Sequence, residues 1–130
     1  MTASTDGYVP GVCNIGRAEV RWRKLMAWIG FACALGLWGF FAYMKTPPQT
    51  RLWVAGPALL GAIGFLQAAR GFCVKYGLGG VFNVGPEVGR TEAVVQAEAR
   101  ARDRRASLVI IAQAILIAGL AGLAAYAVPV

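Results

Sequence analysis

Three thiols, one amide in an apolar stretch and a repeated hexapeptide are the features of this sequence that could carry chemistry. Cys13, Cys33 and Cys73 are its only soft ligands, and none of the 130 residues is histidine. Structural zinc and iron–sulfur sites draw four protein ligands from thiolates and imidazoles. Widely spaced cysteines without histidine cannot complete such a site within one chain, so no metal is expected. An intersubunit site, a lipidated cysteine or a redox pair are the other uses open to Cys13 and Cys73, and a plain buried thiol is the simplest. The missing histidine also removes the commonest general base and the usual haem or chlorophyll ligand. Gly77-Leu78-Gly79-Gly80 is glycine-rich, but it lacks the Lys-Ser/Thr ending and the preceding strand of a phosphate loop. With no nucleophile–base pair either, the expectation is a protein that is not an enzyme and has no cofactor of its own.

Gln113 is the most deeply placed polar side chain of its apolar stretch. An interhelical hydrogen bond would satisfy it. The sharper use would be contact with a bound pigment or quinone.

The hexapeptides are Gly11-Val12-Cys13-Asn14-Ile15-Gly16 and Gly80-Val81-Phe82-Asn83-Val84-Gly85, which share the pattern G-V-x-N-[IV]-G. Each precedes a charged stretch feeding an apolar one. Asn14 and Asn83 are expected to cap the following helices with their side-chain oxygens, and the two turns to pack side by side. Pro86 suits a first helical turn and Glu87 the positive end of a helix dipole. A helix is therefore expected over residues 86–105. An i,i+4 pair of Glu98 and Arg102 would support it, as would an apolar stripe of Val88, Val95 and Ala99.

What must position these residues is apolar. Leu25–Met44, Leu52–Ala69 and Ser107–Val128 are three long stretches without a charge. About 20 residues of helix cross the roughly 30 Å hydrocarbon layer of a bilayer, and each stretch is close to that length. A buried helix of a soluble bundle keeps a polar face, and these stretches have none. Only 15% of residues are charged and the mean hydropathy is +0.57, against about 25% charged in soluble domains. The first stretch is too long for a signal peptide's apolar region and ends without a small-x-small cleavage site. The expected fold is an all-α membrane protein of three transmembrane helices, with a further helix leading into the third.

Charge orients it. Residues 1–24 hold four basic residues and residues 70–106 hold seven, out of thirteen in all. The positive-inside rule places both segments in the cytoplasm and the C-terminus outside. Trp22, Trp28 and Tyr76 fall near one expected boundary, and Tyr43, Trp53 and Tyr126 near the other, as amphipathic rings prefer. The net charge of +7 thus reads as a topology signal with attraction to anionic lipid, centred on Arg100, Arg102, Arg104 and Arg105. The basic residues hug the membrane ends and lack interleaved aromatics, so nucleic acid is not an expected partner. Residues 1–9 are expected to form a flexible or partner-bound tail. Residues 45–51, with two prolines, form a tight outer hairpin, and Gly56-Pro57 should kink the second helix or delay its start.

Small residues recur on the expected spans: Gly36 and Gly39 in the first, Gly61 and Gly64 in the second, Ala114, Ala118 and Gly122 in the third. They let helix backbones approach in lipid. Gly36, Gly61, Ala118 and Gly122, with Cys13, Asn14 and Asn83, are the expected protein-contact positions. No span carries Asp, Glu, Lys or Arg, which argues against a transporter relying on a membrane-embedded carboxylate.

Cys13-Asn14-Ile15-Gly16 followed by Glu19 and a basic run resembles the start of small bacterial membrane proteins that open C-N-I-G-x-x-E. The resemblance runs only from Cys13 to Lys24, and Arg17 and Trp22 depart from the pattern. It implies a bacterial membrane protein and no particular activity; the expected location is a bacterial inner membrane, cytoplasmic or photosynthetic. Together these observations lead to the expectation of an accessory subunit in a larger membrane complex, photosynthetic or respiratory. Lipid, pigment or quinone would lie at its subunit interfaces. The alternative is a homo-oligomeric small-molecule carrier or channel.

Overall fold

The structure, a computed structural model, describes residues 7–129. Residues 1–6, most of the expected tail, lie outside them. Three helices dominate: α1 (Arg17–Met44), α3 (Ala55–Arg70) and α5 (Ala97–Ala127). Between α1 and α3 come a short α2 (Pro48–Arg51) and a 3-10 turn, Leu52–Val54, which run into α3 as one helical rod, Pro48–Arg70. The α1 rod, this composite rod and α5 are all long and apolar enough to cross a membrane. Proline at position 57 lacks the N–H that would bond back to residue 53. The preceding residues tighten into the 3-10 turn, but the helical rod already starts at Pro48, inside the expected outer loop, so Gly56-Pro57 does not delay the helix start.

Backbones pack closely where side chains are smallest. A Cβ on Gly30 would fall 2.6 Å from the Gly61 Cα, and one on Gly64 would fall 2.9 Å from the Ala27 nitrogen. These contacts run α1 antiparallel to α3. Ala118 and Gly122 face α3, and Ala58, Ala118, Ala125, Ala34 and Val54 form a buried cluster beneath half-buried Trp38. Gly61, Ala118 and Gly122 therefore serve packing within the chain. Gly36 differs: it points outward with nothing of the chain within 4 Å.

One end of the bundle carries a folded cap. It consists of the N-terminal hexapeptide, α4 (Val74–Gly79), β1 (Val81–Phe82), β2 (Glu92–Ala93) and the first turns of α1 and α5. β1 and β2 pair antiparallel, Val81 with Ala93 and Phe82 with Glu92. The ribbon corrects two expectations, since the fold is not wholly helical and residues 86–96 are not a helix. Gly89 adopts φ +84°, and Val94 and Val95 are β-branched, both unfavourable to a helix. The expected stripe dissolves with it: Ala99 is buried against Phe82 and Val94, while Val88 and Val95 are exposed. Among the described residues Glu98 and Arg102 form no ion pair. What survives is the continuity of α5, whose 31 residues run unbroken from the cap for about 46 Å.

Candidate functional site

The two hexapeptides lie side by side, as the repeat suggested. Ile15 bridges Asn83 in parallel; the Asn83 N–H donates to the Asn14 carbonyl at 2.9 Å, and the Gly16 N–H donates to the Asn83 carbonyl at 2.9 Å. Contact is so close that a Cβ on Gly16 would stand 2.8 Å from the Val84 carbonyl oxygen.

Neither asparagine caps a helix, which corrects the expectation. The residue before α1 is Gly16, with no side-chain cap. Asn14, wholly buried, instead imitates a strand toward Cys73. Its Oδ1 accepts the Cys73 N–H at 2.6 Å and its Nδ2 donates to the Cys73 carbonyl at 3.1 Å. Asn83 closes a local turn by accepting the Gly85 N–H at 3.2 Å. Its Nδ2 donates to the Glu87 carbonyl and to Glu19. A buried amide that meets backbone groups on a second segment satisfies both sides, and here this outweighs capping.

Two buried carboxylates anchor the cap. Glu19, 1% exposed, accepts at Oε2 from the Tyr76 hydroxyl at 2.6 Å, Asn83 Nδ2 at 2.9 Å and the Gly89 N–H at 2.9 Å; its Oε1 lies 3.5 Å from Arg23. It stands in the polar turns of α1 ahead of Leu25. Burial pushes its pKa up, but the hydrogen bonds from Tyr76, Gly89 and Asn83 and the Arg23 charge outweigh burial and hold it below the usual value. Tyr76 is pushed up to about 12, by burial first and then by the Glu19 carboxylate it donates to.

Asp103 on α5 is fully buried and takes the Tyr8 hydroxyl at 2.7 Å on one oxygen and the Gly11 N–H at 2.7 Å on the other. Tyr8 also stacks on Phe82, ring centroids 4.4 Å apart. Burial, and then Asp103, raises its pKa. Tyr8 is thus packed into the chain's own cap, which corrects that part of the expected flexible or partner-bound tail.

The remaining candidates are distributed. Arg100 turns inward and donates to the carbonyls of Val94 and Val95 at 2.8 and 2.7 Å. Arg102 packs its backbone and Cβ against Gly11. Arg104 borders a small hollow beside Gly77–Gly80, and Arg105 is exposed. Cys13 Sγ donates to the Ile15 carbonyl at 3.4 Å; buried Cys73 Sγ accepts from Arg23 at 3.0 Å, and Cys33 is exposed. Among the described residues no group of three metal-ligating side chains gathers. Gln113 accepts a hydrogen bond from Arg70 at the end of α3. Ser107 is buried and donates to the carbonyls of Val74 and Asp103. At the far end of the bundle, buried Arg51 donates to the carbonyls of Val128 at 2.7 Å and Tyr126 at 3.4 Å, where a cation suits the negative end of the α5 dipole.

Glu19, Asp103, Tyr8 and Tyr76 were not among the candidates read from the sequence. Each acid stands in the polar turns just ahead of an apolar stretch, and that placement was the available signal. The arrangement supplies acceptors for buried donors, and every oxygen of Asp103 and Oε2 of Glu19 is occupied. Its chemistry is clamping. Fold and cap define a three-helix bundle with a hydrogen-bonded cap at one end. Compared with known proteins, the chain matches no family model, no curated sequence and no solved structure.

Proposed function

We propose that the chain is a multi-pass membrane protein whose cap lies in the cytoplasm and whose C-terminus lies outside. In this reading it is an accessory structural subunit of a larger bacterial inner-membrane complex, without a catalytic cofactor of its own. The observation that carries it is the outer face of α1. Side chains at Gly36 or Gly39 would meet nothing of the chain within 4 Å, and Leu35 beside them is 71% exposed. Lipid gains nothing from a glycine, whereas a second helix can approach closely there. Lipid, pigment or quinone would fill gaps around such a contact. The orientation is supported by eleven of the thirteen basic residues standing at the cap end, as the positive-inside rule requires.

The carrier or channel reading has less support. A pore built from α5 needs a polar stripe, yet Ser107 is turned inward and Gln113 is engaged by Arg70.

The test is extraction from native membranes in mild detergent, native-gel separation and mass spectrometry of the band. Comigration with other subunits is expected, and a pigment- or haem-bearing band would identify an energy-transducing host. Gly36→Leu should abolish comigration while leaving the isolated chain as stable as before. Recovery of the chain as a stable lone monomer from gently solubilised membranes would overturn the proposal.

A further inference from the structure

A cavity of about 680 Å³ opens where the first two turns of α1 face the turn after β1. Arg17, Ala18 and Arg21 form its helical wall, and Asn83, Pro86 and Arg90 are on the opposite wall. The volume falls within the range of about 300–1,000 Å³ usual for small-ligand sites. Arg17 and Arg21 are one helical turn apart, so their guanidinium groups share the opening. Among the described residues neither guanidinium makes a hydrogen bond or ion pair.

Two acids also border the cavity, and neither forms an ion pair with Arg17 or Arg21. Glu87 is held by Arg90 at 2.9 Å. Glu92 sits on β2 opposite Phe82 and bonds neither arginine. The arginines also occupy the positive end of the α1 dipole, where a cation is unfavourable, and no side chain caps that end. Three arginines against two acids leave the cavity lining one charge positive, and Arg17 and Arg21 have no bonded partner among the described residues. Guanidinium groups bind phosphate oxygens through paired hydrogen bonds.

Depth specifies the source of the phosphate. The apolar stretch begins at Leu25, and at 1.5 Å per residue Arg21 stands about 6 Å and Arg17 about 12 Å beyond it. A bilayer's polar layer is roughly 5–7 Å thick on each side. Arg21 thus lies within the headgroup layer, and the Arg17 backbone stands about 5 Å beyond it, a gap its long side chain can span back. Trp22, half exposed beside them, has the amphipathic ring that favours this depth.

We propose that this cavity holds the phosphate group of an anionic phospholipid headgroup between Arg17 and Arg21. The inference rests on the membrane-spanning reading of α1 and is independent of any assembly role. It also moves lipid recognition away from Arg100, whose guanidinium is engaged by Val94 and Val95.

The test uses the full chain in detergent micelles doped with phosphatidylglycerol or phosphatidylcholine, with bound lipid counted by native mass spectrometry. Wild type should retain phosphatidylglycerol in preference to phosphatidylcholine. Arg17→Gln with Arg21→Gln should weaken that retention about thirtyfold, taking about 1 kcal/mol per arginine at an anionic surface and 1.4 kcal/mol per tenfold. Both side chains are exposed and unpaired, so circular dichroism and lipid-free thermal stability should not change in this variant. Arg104→Gln with Arg105→Gln should keep the preference. Unchanged retention in the first variant, or equal loss in the second, overturns the inference. Displacement of the lipid by inorganic phosphate alone at comparable concentration overturns the lipid source in favour of soluble phosphate. Release of the chain from vesicles by alkaline carbonate overturns the membrane reading, and this inference with it.

Discussion

Glu19 and Asp103 hold each other's segments. Glu19, on α1, accepts the Gly89 N–H from the loop leading toward α5; Asp103, on α5, accepts the Gly11 N–H from the loop leading into α1. Each carboxylate also takes a tyrosine hydroxyl, from Tyr76 and Tyr8 respectively. The parallel contact of the two hexapeptides lies between these clamps, so neither long helix can leave the cap without unfastening the other's loop. Hydrogen bonds to charged groups contribute about 1.5–3 kcal/mol each. Asp103→Asn and Tyr8→Phe should each lower unfolding stability in detergent. Their double-mutant cycle should show a coupling of about 1.5 kcal/mol or more. A coupling near zero would mean that the Tyr8–Phe82 stack, and not Asp103, holds the N-terminal segment.

Acid should loosen the cap through Glu19. Its folded pKa lies below the ordinary 4.5 because the donors around it favour the carboxylate. A depressed carboxylate contributes stability that is fully present above the unfolded value and is lost as pH falls through the folded one. Thermal stability of the detergent-solubilised chain should therefore drop as pH is lowered from 4.5. In Glu19→Gln the profile should be flatter and the stability at neutral pH lower. A wild-type profile no steeper than that of the variant would contradict the arrangement.

The alkaline limb reports the same contact from the other side. Tyr76 titrates near 12 in the folded chain, against 10 ordinarily. A raised tyrosine pKa contributes stability that is intact below the ordinary value and lost as pH rises through the folded one. The tyrosinate absorbance that disappears in Tyr76→Phe should thus develop near 12 in wild type. In Glu19→Gln it should move toward the ordinary value, because the carboxylate is the charged partner opposing ionisation.

How much of this the sequence disclosed depends on which interaction decided each element. The three apolar helices were legible because length and hydropathy alone determine them. The hexapeptide pairing was legible because Asn14 and Asn83 stand in equivalent settings of one repeated pattern. Their partners were not. Asn14 bonds Cys73, far along the chain, and local capping rules cannot see such a contact. The expected helix over residues 86–105 failed at Gly89, and helix begins only at Ala97. There, a local bond from Asn83 to the Glu87 carbonyl and a tertiary bond from Gly89 to Glu19 hold the loop open. Gly30 escaped notice for a related reason. Its importance lies in Gly61 across the interface, and nothing in the neighbouring sequence of α1 distinguishes it from outward-facing Gly36.

That contrast is itself testable. Gly30 and Gly36 lie on the same helix and are chemically identical. A Cβ at Gly30 would meet the Gly61 and Leu60 backbone within 3.0 Å, whereas one at Gly36 would meet nothing within 4 Å. Backbone cannot step aside as a flexible side chain can, so Gly30→Leu must push α1 away from α3. Overpacking of a tight contact costs about 1–3 kcal/mol, and more where backbone is displaced. Gly30→Leu should therefore lower thermal stability markedly and expose the α1–α3 seam to thiol labelling at an introduced Ala27→Cys. Gly36→Leu in the same assay should match wild type, since a side chain there meets nothing of the chain within 4 Å. Equal destabilisation by the two substitutions would mean that helix propensity, and not the Gly30–Gly61 approach, sets the stability of this pair.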